Sequence, residues 1–172
     1  ENFMTYFVTG ATGFIGQFLI RNLLKRRQPI YVLVRKGSVR KLDALRAQWG
    51  ATDKDVIAVI GDLGGRNLGV SPADVKKLKG KIDHMFHLAA VYDLKAGADE
   101  QQKANVDGTR HAVQFAQAVN AGCFHHVSSI AAAGLYDGVF REDMFDEAED
   151  LDHPYFRTKH DSEKVVRMEC KR

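Results

Sequence analysis

Unbroken apolar runs alternate along the chain with stretches of helical period. Met4 to Thr9, Ile30 to Val34, Val56 to Ile60, His84 to Leu88 and Phe124 to Val127 are short and rich in apolar side chains. Runs of this kind suit strands buried on both faces of a parallel sheet. Between them, Phe14 to Arg26 places Ile15, Leu19 and Leu23 on one helical face, and Val39 to Trp49 does the same with Leu42, Leu45 and Trp49. Ser71-Pro72 predicts a helix start, with Ser as N-cap and Pro in the first turn. Glu100 to Asn120 predicts one long helix, closed by Gly122. Strand and helix in alternation predict an α/β fold, a doubly wound parallel sheet. Ala131 to Pro154 has no period and is acidic, reading as a solvated loop, and a last helix is expected from about Tyr155.

Composition narrows the class without changing this picture. The 172 residues are 45% hydrophobic and 27% charged, ordinary for one globular domain. No run approaches the roughly 20 apolar residues of a membrane helix, and no secretory signal is expected. Cys123 and Cys170 make no disulfide framework, and Cys123 is expected in the core. The net charge of +3 is too small to imply a nucleic-acid partner. These features point to a cytoplasmic chain with a small-molecule substrate and no integral membrane segment.

The first strand runs into Thr9-Gly10-Ala11-Thr12-Gly13-Phe14-Ile15-Gly16 and then an amphipathic helix. Such a turn cradles a pyrophosphate on the N–H groups and positive dipole end of the helix. Gly10, Thr12, Gly13, Phe14, Ile15 and Gly16 are the expected contacts. The second strand closes on Val34-Arg35-Lys36. An acidic residue usually holds the ribose 2′-hydroxyl of NAD at this place, about 20 residues beyond the glycines. A guanidinium pairs instead with a 2′-phosphate, so NADPH is the expected cofactor and Arg35 its discriminating contact. At the third strand's end, Asp62 is expected to accept from the adenine amino group and Leu63 to pack on the ring; Asp62 as a turn cap is the alternative. At the fourth, the small Ala89 and Ala90 let a cofactor cross the strand tips, with His87 a packing residue and Tyr92 a possible cleft wall.

The fifth strand ends His126-Val127-Ser128-Ser129, and Tyr155 and Lys159 follow at i and i+4. On a helix this spacing sets both on one face. An ammonium nearby favours a phenolate, which suits a tyrosine to acid work on a reacting oxygen. A serine at the strand tip can hydrogen-bond the same oxygen. His125-His126 and His153 with His160 lack ligand spacing, so no metal is expected.

With TGATGFIG, GDL, HLAA, Asn105, VSSIAAAG and YFRTK in order, the chain resembles the extended short-chain dehydrogenases/reductases. That resemblance implies a Rossmann fold and a triad of Ser129, Tyr155 and Lys159, with Ser128 the alternative serine. Lys159 would also hold the nicotinamide ribose, Tyr155 would lie against the cofactor, and Asn105 would position a helix. The stretches YVLVRKGS, KIDHMFHLAAVYD and DLDHPYFRTKHDSEKVVR look like bacterial NADPH-dependent fatty acyl-CoA reductases. They imply reduction of an acyl-CoA thioester to aldehyde or alcohol. The rivals are other chemistries of the superfamily (sugar-nucleotide epimerase or dehydratase, steroid- or flavonol-type reductase) and a non-catalytic NADP-binding module. Extended members usually continue into a substrate domain, so residues 4–172 are expected to be an N-terminal piece with the cofactor half and the triad. Homo-oligomers are a further expectation.

Overall fold

In a computed structural model of the chain, residues 4–90 and 97–170 are described. Tyr92 lies outside them. The strands are β1 (Tyr6–Thr9), β2 (Ile30–Val34), β3 (Val56–Ile60), β4 (His84–His87) and β5 (Cys123–His126). The helices are α1 (Phe14–Leu24), α2 (Val39–Trp49), α3 (Pro72–Leu78), α4 (Ala98–Gln101), α5 (Gly108–Ala118) and α6 (Pro154–Cys170). All strand pairs are parallel, in the order β3-β2-β1-β4-β5. The doubly wound sheet expected from the apolar runs is therefore the one observed.

Side chains alternate across the sheet, so each face has its own core. On one, Phe7, Val59 and Met85 meet Leu78, Phe115 and Val119. The Phe7 and Phe115 rings lie 4.6 Å apart. On the other, Tyr6, Val8, Ile30, Val32 and Val34 meet Ile20, Leu23 and Leu42. The sheet order reverses direction between β1 and β4, because β2 and β3 build outward on one side and β4 and β5 on the other. Ligands in open parallel sheets bind outside the strand C-termini at such a switch point.

Three local readings change. The long helix runs from Ala98 but contains a π-helical segment over Gln102–Asp107, between α4 and α5. It ends earlier than Gly122: Asn120 takes the left-handed conformation (φ 54°), and Ala121 N–H reaches back to the Ala116 carbonyl. Asparagine tolerates that conformation better than other non-glycine residues. Gly122 instead lets the chain pass close to Asp83, since a Cβ there would lie 2.9 Å from the Asp83 carbonyl oxygen. Cys123 is exposed rather than in the core, because it opens the edge strand.

Candidate active site

The glycine turn works by backbone proximity. Gly10 has φ +74°, and a Cβ on it would come within 2.8 Å of Ala89 N. Gly13 N–H closes the turn on the Gly10 carbonyl at 3.0 Å, and Gly13 is the N-cap of α1. A Cβ at Gly16 would lie 2.1 Å from that same Gly10 oxygen. Gly16→Ala must therefore push α1 off the turn. Overpacking of this kind costs roughly 1–3 kcal/mol, and we expect a melting temperature lower by several degrees. Dinucleotide binding, read by quenching of intrinsic fluorescence, should weaken at least tenfold in parallel.

A cleft of about 840 Å³ opens at the strand C-termini over this turn. Its walls include Gly10, Thr12, Gly13, Arg35, Ser38, Asp62, Leu63, Ala89 and Ala90. The expected contacts of β1, β2, β3 and β4 thus meet around one space. Gly16 lies under the turn. Phe14 and Ile15 are outside the walls and are 79% and 56% exposed. The helical segment after Gly97 adds Glu100, Lys103 and Ala104, which no motif had marked. Asp62 also caps a turn, as its alternative reading held: its Oδ1 accepts Gly64 N–H at 2.6 Å.

The tip of β5 and the start of α6 form a second assembly. Tyr155 sits in the first turn of α6 behind Pro154 and is buried. One turn on, Lys159 is buried and its Nζ donates to the Val127 carbonyl at 3.1 Å. That bond fastens α6 to the strand tip carrying the serines. Burial pushes the Lys159 ammonium below its usual range, and the Glu163 carboxylate opposes this. The two serines differ in their protons. Ser128 Oγ donates to Glu163 Oε2 at 2.6 Å, so its proton is committed inward. Ser129 Oγ accepts Ala131 N–H at 3.2 Å, which leaves its own O–H to donate elsewhere. Despite desolvation, Glu163 stays below the usual carboxylate range through its bonds to Ser128 and Arg167. A smaller cavity of about 370 Å³ adjoins Ser129, walled also by Phe140, Arg141 and Met144 from the acidic loop.

A hydrogen-bond chain ties the two assemblies together and fixes a tautomer. Thr109 Oγ1 donates to the Asn105 carbonyl at 2.6 Å, so it can only accept from His87 Nε2, 3.1 Å away. His87 Nδ1 then accepts from Thr9 Oγ1 at 2.7 Å, and Thr9 Oγ1 accepts Ala89 N–H. From the π-helical segment, Asn105 Nδ2 donates to Thr158 Oγ1, which donates to the Tyr155 carbonyl, both at 3.2 Å. Polar residues thus run unbroken from the glycine turn to the helix that holds Tyr155.

Residues 8–172 match the family model described as male sterility protein, an NAD-binding domain. The chain belongs to this family, within the extended short-chain dehydrogenases/reductases. The male sterility family is one of NAD(P)-dependent oxidoreductases. A linear gramicidin synthase of Brevibacillus parabrevis is 32% identical across 98% of this chain. A putative fatty acyl-CoA reductase of Drosophila melanogaster is 30% identical across 84%. The terminal R domain of the myxalamid PKS-NRPS pathway superposes with a TM-score of 0.83 at 28% identity, over 99% of this chain. The chain spans 4%, 31% and 47% of these three proteins respectively. Among the described residues, no helix of this family member is long and apolar enough to cross a membrane.

Proposed function

We propose that the chain forms the NADPH-binding and catalytic part of a reductase acting on a fatty acyl-CoA thioester. The observation that carries the cofactor assignment is Arg35 at the rim of the 840 Å³ cleft, in the place of a ribose-binding carboxylate. The cleft fits a dinucleotide: the Gly10 backbone is bare where a Cβ could not stand, and a guanidinium awaits a 2′-phosphate. The substrate class rests on the fly relative's name and on the resemblance of the motifs to acyl-CoA reductases.

When bound, NADPH supplies a hydride to the carbonyl carbon of the thioester. This chain's residues handle the oxygen. Ser129, whose O–H is available, donates to the carbonyl oxygen as negative charge develops there, and Tyr155 supports it from the facing helix. Donors aimed at developing charge lower the barrier more than donors that bind the ground state. Lys159, anchored on Val127, orients the helix face and holds the nicotinamide ribose. Departure of the CoA thiolate gives an aldehyde, and Tyr155 can protonate the oxygen if a second reduction yields the alcohol.

The test is NADPH oxidation at 340 nm with a long-chain acyl-CoA, using the full polypeptide that contains this chain, with aldehyde and alcohol identified as products. Binding of NADPH without oxidation of any acyl-CoA would overturn the substrate and leave the cofactor assignment standing. For the cofactor, Arg35→Asp should weaken NADPH about 10- to 100-fold, because a charged hydrogen bond contributes roughly 1.5–3 kcal/mol. NADH binding should be unchanged or improved. Equal loss for both dinucleotides in a titration would reject Arg35 as the phosphate contact.

A further inference from the structure

At the opposite end of the sheet from the cleft, three metal-ligating side chains converge on one face. His84 opens β4 and Cys123 opens β5, and the parallel register makes them direct neighbours. His125 lies two residues after Cys123 and so shares its face. His84 Nδ1 and His125 Nε2 are 3.0 Å apart. One ligand atom from each of the three residues lies within 4.8 Å of the other two. Both histidines are partly buried and Cys123 is exposed, so the group opens to solvent on the cysteine side.

The rings are held in place before any ion arrives. Phe86 stacks on His125 at 4.4 Å with an interplanar angle of 11°, and Tyr6 stacks on His84 at 6.0 Å and 19°. The nearby Asp83 carboxylate is occupied, accepting Thr5 N–H at 2.6 Å. In a tetrahedral zinc site with Zn–N near 2.0–2.1 Å, two ligand nitrogens stand about 3.3 Å apart and nitrogen and sulfur about 3.6 Å apart. The histidine pair, at 3.0 Å, is within about 0.3 Å of that span, and the exposed Cys123 offers its sulfur within 4.8 Å of a nitrogen on each ring. The 3.0 Å contact has one nitrogen donating and the other accepting. Moving that one proton to the far side of its ring frees both lone pairs.

We propose that His84, Cys123 and His125 form a zinc site that clasps the edge strand β5 to β4, with the fourth position open to water. Two imidazoles and one thiolate suit a borderline-soft ion and disfavour magnesium or calcium, which take oxygen ligands. The histidine and cysteine pairs visible along the sequence miss this group because its third member comes from the neighbouring strand.

The probe is Co²⁺ added to the metal-free protein. The expected result is saturation at one equivalent, with a thiolate-to-cobalt charge-transfer band and the intense visible bands of tetrahedral cobalt, both erased by Zn²⁺. Cys123→Ser, at an exposed position, should abolish the charge-transfer band, while Cys170→Ser keeps it. His84→Gln and His125→Gln should each weaken Co²⁺ binding at least tenfold, with NADPH binding retained as proof of folding. A band absent from the starting protein, persisting in Cys123→Ser, or insensitive to both histidine variants would overturn the site. So would a melting temperature that Zn²⁺ fails to raise in the starting protein, since an ion bound only by the folded state must stabilise it.

Discussion

Tyr155→Phe should cut turnover by about 10²- to 10⁴-fold, the usual size of a positioned acid's contribution, while NADPH affinity changes less than threefold. The ring stays and only the hydroxyl leaves, so the buried start of α6 keeps its packing. The measurement is kcat from NADPH oxidation beside a fluorescence titration of the same sample. Ser129→Ala and Ser128→Ala sharpen the test, because the two hydroxyls differ in what they can give. Ser129 has a proton to offer a substrate oxygen; Ser128 has committed its own to Glu163. Loss of turnover in Ser129→Ala, against a small change in Ser128→Ala, fits the proposed roles. The reverse ranking would exchange them, and full activity of Tyr155→Phe would remove tyrosine from the chemistry.

Lys159→Met belongs to the same experiment but reads differently. The ammonium is buried and bonded to the Val127 carbonyl, so its removal leaves a partly buried acceptor without that donor. Both cofactor affinity and turnover should fall, which separates its combined holding and positioning role from the purely chemical role of Tyr155.

The residues that meet at the cleft were legible in the sequence because each ends a strand. A parallel sheet gathers its strand C-termini at one edge, so Gly10, Arg35, Asp62 and Ala89 converge once the strands are recognised. The i, i+4 spacing likewise put Tyr155 and Lys159 on one helix face. What stayed hidden depends on contacts with no period. The π-helical segment carries Asn105, which meets Thr158 across two helices, a contact that apolar spacing does not show. Lys103 reaches the cleft only because the helix after Gly97 runs along its wall. Ser128 and Ser129 look alike in the sequence; they differ in the direction of one proton, and for Ser128 that is set by Glu163, far along the chain. Cys123 looked like core because a strand's apolar neighbours say nothing about whether it lies at the sheet's edge.

Acid should unfold this protein early, and two histidines under the active site are the reason. Burial holds His87 down to about 3, helped by the charges of His126 and Lys159. Burial and the Lys159 ammonium hold His126 at about 4, against the pull of Glu163. In the unfolded chain both titrate near 6.5. Above that value neither state binds the extra protons, so stability is full and flat. Between 6.5 and 4 the unfolded chain binds two protons that the fold refuses. Stability then falls by roughly 1.4 kcal/mol per pH unit for each histidine. Below 4 only His87 continues the slope, to about 3. By pH 5 the joint loss is about 4 kcal/mol, a large share of a typical domain's 5–15 kcal/mol. Glu163, held below its usual range, adds little to the loss down to pH 5, because its carboxyl in the unfolded chain takes up a proton only near 4.5 and below. Urea midpoints at pH 7.5 and 5.0 measure the effect, and His126→Phe assigns it. Both His126 ring nitrogens are buried without a hydrogen-bond partner, so an apolar ring of similar size should leave the pH 7.5 stability equal or higher. It should also halve the slope between 6.5 and 4. An unchanged slope in that variant would move the acid sensitivity away from His126. His87 would then carry its part alone, bonded at both nitrogens and unable to take a proton without breaking the chain from Thr9 to Thr109.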